Sequence, residues 1–161
     1  MNRTIAIIIA GTFVVAAASS ALWAQAHSQV IQSPTEAKWG PAPPMLPPGA
    51  EIAVLAGDPS KSSAYAVRLK FPANYAIQAH SHPTDENVVV TTGALTFGMG
   101  DKLVKDASNK TLSVGGYALM PASMNHFAYA GAGGATIVLY GQGPVEFKYV
   151  NPSDDPRNKK K

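Results

Sequence analysis

Residues 80–86 read HSHPTDE, running from His80 to Glu86. In a strand, alternate residues share a face, so His80 and His82 point the same way and can bind one ion together. Pro83 introduces a turn, after which Glu86 returns. A mostly apolar run, Asn87 to Thr92, and then Gly93 follow. Farther on, residues 115–126 read GGYALMPASMNH and end on a third histidine, His126. These four donors sit at spacings that would converge on one metal ion inside a small β-barrel.

The sequence around this stretch has the same character. From Glu51 onward, short apolar runs alternate with clusters of Gly, Pro, Asp and Asn, which is the signature of an all-β sandwich or barrel. Strands are predicted at residues 51–56, 64–71, 75–82, 86–92, 94–99, 111–114, 117–120, 126–130, 136–141 and 145–150. Turn signals fall between them, among them Gly57-Asp58-Pro59, Pro72-Ala73-Asn74, Thr92-Gly93 and Gly131 to Gly134. No helical periodicity competes, and this is enough strands for a jelly roll.

The two motifs together resemble those of the cupin family. Its first motif is Gly, five residues, His-x-His, three residues, Glu, six residues, Gly. It is met by His80, His82, Glu86 and Gly93, with Asn74 where the first Gly is expected. Its second motif is Gly, five residues, Pro-x-Gly, two residues, His, three residues, Asn. Gly115, Pro121 and His126 fit, while Ser123 and Ala130 depart from the pattern. The resemblance covers roughly residues 49–150. It implies a single jelly-roll barrel with His80, His82, Glu86 and His126 as metal ligands, and a homodimer paired through outer strands.

At the N-terminus, Arg3 precedes an uncharged, mostly apolar run, Ile5 to Ala18, and Ala24-Gln25-Ala26 supplies small residues for a peptidase. Residues 1–26 read as a secretory signal peptide cleaved near Ala26, which implies a periplasmic or secreted protein. A retained anchor is the rival, since extension to Ala24 approaches the ~20 residues needed to span a membrane. Ser19, Ser20 and the A-x-A site favour cleavage. The chain has no Cys, which excludes lipoprotein acylation and disulfides.

Cleavage leaves 135 of the 161 residues, an ordinary single domain, with 12 basic against 10 acidic residues. That balance does not imply nucleic acid. Residues 27–48 form a polar stretch and then a Pro-rich strap, with five prolines between Pro41 and Pro48 and with Trp39 and Met45 as its expected apolar anchors. Residues 49–150 are the barrel. Residues 151–161 are a polar, basic-ended tail expected to be disordered.

Strand parity from His80 turns Gln78 inward, and parity from Glu86 and His126 does the same for Val88, Val90 and Ala128. Phe97, Met99 and Tyr140 complete the expected pocket wall, a mostly apolar surface around one polar knot. Gln78 is the inward amide expected to orient a metal-bound water. Three imidazoles and one carboxylate suit iron or manganese first, with zinc, nickel, cobalt and copper as alternatives.

Acid or base candidates beyond the ligands are few: Asp85, Asp101 and Glu146, with Arg68 for an anionic substrate. No catalytic residue is assigned. Two functions stand. One is a small-molecule metalloenzyme of dioxygenase type. The other is a non-catalytic module that binds a metal or small ligand outside the cytoplasm.

Overall fold

The computed structural model describes residues 29–159, in which nine strands and three short 3-10 turns appear. The expected leader and its cleavage point lie outside the described residues. None of the described helices is long and apolar enough to cross a membrane.

The strands are β1 (Gly40–Pro41), β2 (Glu51–Ala56), β3 (Ala64–Phe71), β4 (Ala76–Ser81), β5 (Glu86–Met99), β6 (Lys110–Leu112), β7 (Tyr117–Met120), β8 (His126–Gln142) and β9 (Lys148–Tyr149). All pairings are antiparallel, and all nine strands join one ladder. The main path runs β1-β2-β3-β8-β4-β9, and β5 branches from β8 to carry β6 and β7. The fold is therefore all-β, as the jelly-roll expectation has it, but the hydrogen-bonded sheet does not close on itself as a full ring.

Two strands do most of the wrapping. The sequence predicts four short strands where β5 and β8 each run unbroken, because glycines read as strand ends act as bends. Gly93 has φ 69° and Gly134 has φ 71°, and a Cβ on Gly93 would lie 2.2 Å from the Gly134 carbonyl oxygen. Only residues without a side chain permit that backbone contact at left-handed φ. In register, Gly93 opposes Ala135 and Leu95 opposes Ala130, so residues 131–134 are looped out of the ladder while the strand continues.

Alternation sets the core. On β3, Tyr65, Val67, Leu69 and Phe71 are buried, and their neighbours face outward or lie at the margin. Val88, Val90, Leu95 and Phe97 of β5 and Ala128, Ile137 and Leu139 of β8 meet them inside. Phe127 is buried on the opposite parity, and Gly98 makes room for it: a Cβ there would lie 2.1 Å from Phe127 Cζ.

The Pro-rich strap packs on its own barrel. β1 pairs with β2 at the sheet edge, where a proline costs no ladder hydrogen bond. Leu46 is 6% exposed and is the anchor together with Met45, whereas Trp39, the other expected anchor, is 38% exposed and lies beneath Lys70 Nζ at 5.9 Å. Two buried tyrosines tie the strap down: Tyr75 donates to the Pro47 carbonyl, and Tyr149 donates to the Met45 carbonyl at 2.8 Å.

At the other end, β9 is shorter than the strand predicted at 145–150, and the tail is not disordered over its described part. Asn151 caps Pro152–Asp154 and Asp155 caps Pro156–Asn158. Arg157 grips Asp155 and donates to the Phe147 carbonyl at 2.9 Å, which pins the tail beside β9.

Candidate metal centre

The ligand strands arrive together through register. His80 of β4 opposes His126 of β8, and Glu86 at the start of β5 opposes Gly141 near the end of β8. His80, His82, Glu86 and His126 are all buried. One ligand nitrogen from each histidine lies within 4.8 Å of the others, so His80, His82 and His126 form a group that could hold a metal ion. Glu86 faces the same point, with Oε1 3.5 Å from His82 Nε2 and Oε2 3.5 Å from His126 Nε2.

The other nitrogen of each ring is occupied. His80 Nδ1 lies 2.6 Å from the Gln78 carbonyl, His82 Nδ1 2.7 Å from the Glu146 carbonyl and His126 Nδ1 3.0 Å from the Met124 carbonyl. A carbonyl can only accept, so each Nδ1 carries a proton, and in the neutral ring that leaves the lone pair on Nε2. His82 Nε2 and His126 Nε2 are buried without a hydrogen-bond partner among the described residues. Buried nitrogens are rarely left unpaired, and a cation is the partner that lone pairs and a carboxylate share.

The electrostatics agree with that donor set. Burial, reinforced by the His126 and His82 imidazoles, pushes His80 down to about 3, so it stays neutral as a ligand must. Burial alone would raise Glu86, but its contacts with His126, His82 and His80 outweigh this and hold it below the usual carboxylate range. Phe147 stiffens the cluster, stacking on the His80 ring at 4.6 Å and meeting the His82 ring edge-on at 4.5 Å.

The departures from the cupin motifs leave the backbone in shape. Asn74 (φ 59°) and Ser123 (φ 63°), which stand at the two motif glycines, are the two non-glycine residues with positive φ among the described residues. The Ser123 N–H donates to the His82 carbonyl at 2.8 Å, so the turn still supports the ligand strand.

Behind the donors lies a cavity of about 250 Å³, reached by His80, Glu86 and His126 and otherwise walled mainly by apolar side chains. Val88 and Phe97 line it as expected. Gln78 does not, because a bulge intervenes: Ile77 opposes Ala128 while His80 opposes His126, which puts one extra residue on β4 and reverses the parity. Ile77 takes the inward place, and Gln78 serves the site through its carbonyl. Met99 is 51% exposed beyond the end of the wall, and Tyr140 is 39% exposed on the outer face, opposite in parity to Leu139.

The acid and base candidates also lie elsewhere. Asp85 accepts from the Ala122 N–H, Asp101 from Asn125, and Glu146 contributes its carbonyl. Arg68 reaches the Pro34 carbonyl at the surface.

Tyr65, Leu46, Met45 and Phe147 are wall residues that the sequence reading missed. For Tyr65 a signal existed, since it shares the alternation of Val67, Leu69 and Phe71.

Residues 16–147 match the family described as "Domain of unknown function (DUF4437)". This chain belongs to that family.

The DUF4437 chain also resembles solved cupin-superfamily structures. The polyketide cyclase RemF from Streptomyces resistomycificus matches with TM-score 0.61 at 14% identity, over 80% of this chain and 90% of the cyclase. A putative acetylacetone dioxygenase from Methylibium petroleiphilum PM1 matches with TM-score 0.58 at 20% identity, over 80% and 88%. An RmlC-like cupin from Shewanella frigidimarina matches with TM-score 0.54 at 16% identity, over 73% and 94%. At these identities the likeness establishes the cupin fold of this DUF4437 chain and nothing finer. No curated protein matches it.

Proposed function

We propose that this chain is an exported metalloenzyme of dioxygenase type, with His80, His82, His126 and Glu86 as the ligands of one iron or manganese ion. The observation that carries this reading is the pair of buried, unpartnered Nε2 atoms of His82 and His126 facing Glu86 at the end of an apolar cavity. A divalent ion with open coordination positions supplies a Lewis acid for a ligand oxygen and, for iron or manganese, redox capacity toward dioxygen. The protein's own part is to keep the His80 imidazole neutral, to turn the Nε2 atoms of His82 and His126 toward Glu86, to exclude water with Val88, Phe97 and Phe147, and to hold a small molecule against the donors. The putative acetylacetone dioxygenase among the structural neighbours supports this class only by likeness of fold.

A non-catalytic binding module is the second reading, favoured by one observation: beyond Glu86, no charged side chain among the described residues lines the cavity. The described wall therefore offers no second carboxylate or lysine for proton transfer. Elemental analysis of the protein purified from its exported location, beside the His80→Ala, His126→Ala double variant, tests the site. About one iron or manganese per chain, lost in the variant, supports the metal centre. Oxygen uptake with small diketones and phenols then separates enzyme from binding module. Metal-free wild-type protein with an intact fold overturns the metal centre and leaves only a module that binds a small ligand.

A further inference from the structure

The cavity carries one polar side chain with no assigned task, the Tyr65 hydroxyl. Tyr65 is buried, lines the cavity and forms no side-chain hydrogen bond among the described residues. Its position is set by register. Tyr65 of β3 and Glu86 of β5 both oppose Gly141 of β8, so the three lie on one cross-strand row with the glycine in the middle. Opposed residues share a face. A Cβ on Gly141 would lie 3.6 Å from the Tyr65 hydroxyl, so the ring lies over that glycine, on the side of the row where Glu86 stands. A phenol in this place is a neutral donor at the metal-facing end of an apolar chamber.

The rest of the wall fixes what can enter. Neither Lys nor Arg lines the cavity among the described residues, so no side chain of the wall pairs with an anion. A sugar would leave most of its hydroxyls unpaired against Leu69, Ile77, Phe97 and Leu139. An engineered cavity of about 150 Å³ takes benzene. The roughly 250 Å³ here holds one ring with a short substituent.

We infer that the cavity binds a neutral, apolar molecule of one-ring size bearing an acceptor oxygen, and that Tyr65 donates to that oxygen. This deepens the proposed metal-centre reading by naming the substrate class. It depends on that reading only for what lies beyond the oxygen.

The test is calorimetric titration of the full chain with acetophenone, ethylbenzene and glucose, with metal content measured on the same sample. Acetophenone should bind more tightly than ethylbenzene, and glucose at least 10-fold more weakly than either. In Tyr65→Phe the acetophenone affinity should fall about 3- to 10-fold, as expected for one net hydrogen bond, while ethylbenzene is unaffected. Because Tyr65 has no protein partner to lose, the thermal midpoint of Tyr65→Phe should match the wild type. Glucose binding as tightly as acetophenone overturns the inference, as does an unchanged acetophenone preference in Tyr65→Phe. If the protein holds no metal yet shows the Tyr65-dependent preference, the metal-centre reading fails and this one stands. If it holds metal without the preference, the reverse follows.

Discussion

Ser123→Gly should make this protein more stable. Ser123 sits at φ 63°, in the turn that leads into His126. A left-handed conformation costs an ordinary L-residue roughly 1 to 2 kcal/mol. The residue is exposed and its side chain makes no hydrogen bond among the described residues, so nothing offsets that strain. Glycine removes the strain but adds unfolded-state entropy worth roughly 0.4 to 1 kcal/mol. Between the midpoints of these two ranges the net gain is about 0.8 kcal/mol. For about 130 ordered residues, 1 kcal/mol corresponds to roughly 3 to 4 °C in Tm, so the expected shift is about +2 to +4 °C.

Urea denaturation and thermal melts of Ser123→Gly and Ser123→Ala make the comparison. Alanine retains the Cβ and the strain, so it should leave stability within about 0.5 kcal/mol of wild type. Asn74→Gly should gain less than Ser123→Gly, because Asn tolerates this region better than Ser. The strain account is refuted if Ser123→Gly is no more stable than wild type while Ser123→Ala is neutral.

Acid should destabilise the metal-free fold in two stages. The folded pKa of His80, near 3, lies below its unfolded value of about 6.5, so the unfolded chain takes up the proton first. Stability is therefore full above about pH 6.5 and falls toward pH 3, and Glu86, also held low, adds a loss below about pH 4.5. Urea midpoints across that range check this, and His80→Gln should flatten the upper stage. Tyr149→Phe should cost about 1 to 2 kcal/mol by leaving the Met45 carbonyl unpaired, and hydrogen exchange at the Leu46 N–H should quicken. Gly98→Ala should cost about 1 to 3 kcal/mol or more, because the new methyl would overlap the Phe127 ring; denaturation that shows no loss would mean that the ring has free space.

The convergence of His80, His82, Glu86 and His126 was readable because it depends on spacing along the chain, and the structure brings the four side chains to one point. β2, β3 and β7 have the bounds that Gly and Pro punctuation predicts. What failed depended on backbone detail that spacing does not carry. One extra residue in β4 reversed Gln78, and glycines that looked like strand ends at 93 and 131–134 turned out to be bends within β5 and β8. Phe147 against His80 is a contact between segments 67 positions apart, which no local pattern reports. The ordered tail was legible in principle, since Asn151-Pro152 and Asp155-Pro156 are the cap-and-proline pairs that start a turn.

The three oxygens that fix the imidazole tautomers belong to the main chain of Gln78, Met124 and Glu146. Every residue type carries that oxygen, so side-chain replacement at those positions cannot delete the groups that orient the ligands. Sequences of this kind are free to drift there while the centre keeps its chemistry. The vulnerability is instead to length: loss of one residue between Ile77 and His80 would remove the bulge, shift the carbonyl that His80 depends on and turn the ligand strand out of register. Insertions and deletions, more than substitutions, are the changes that this centre cannot absorb.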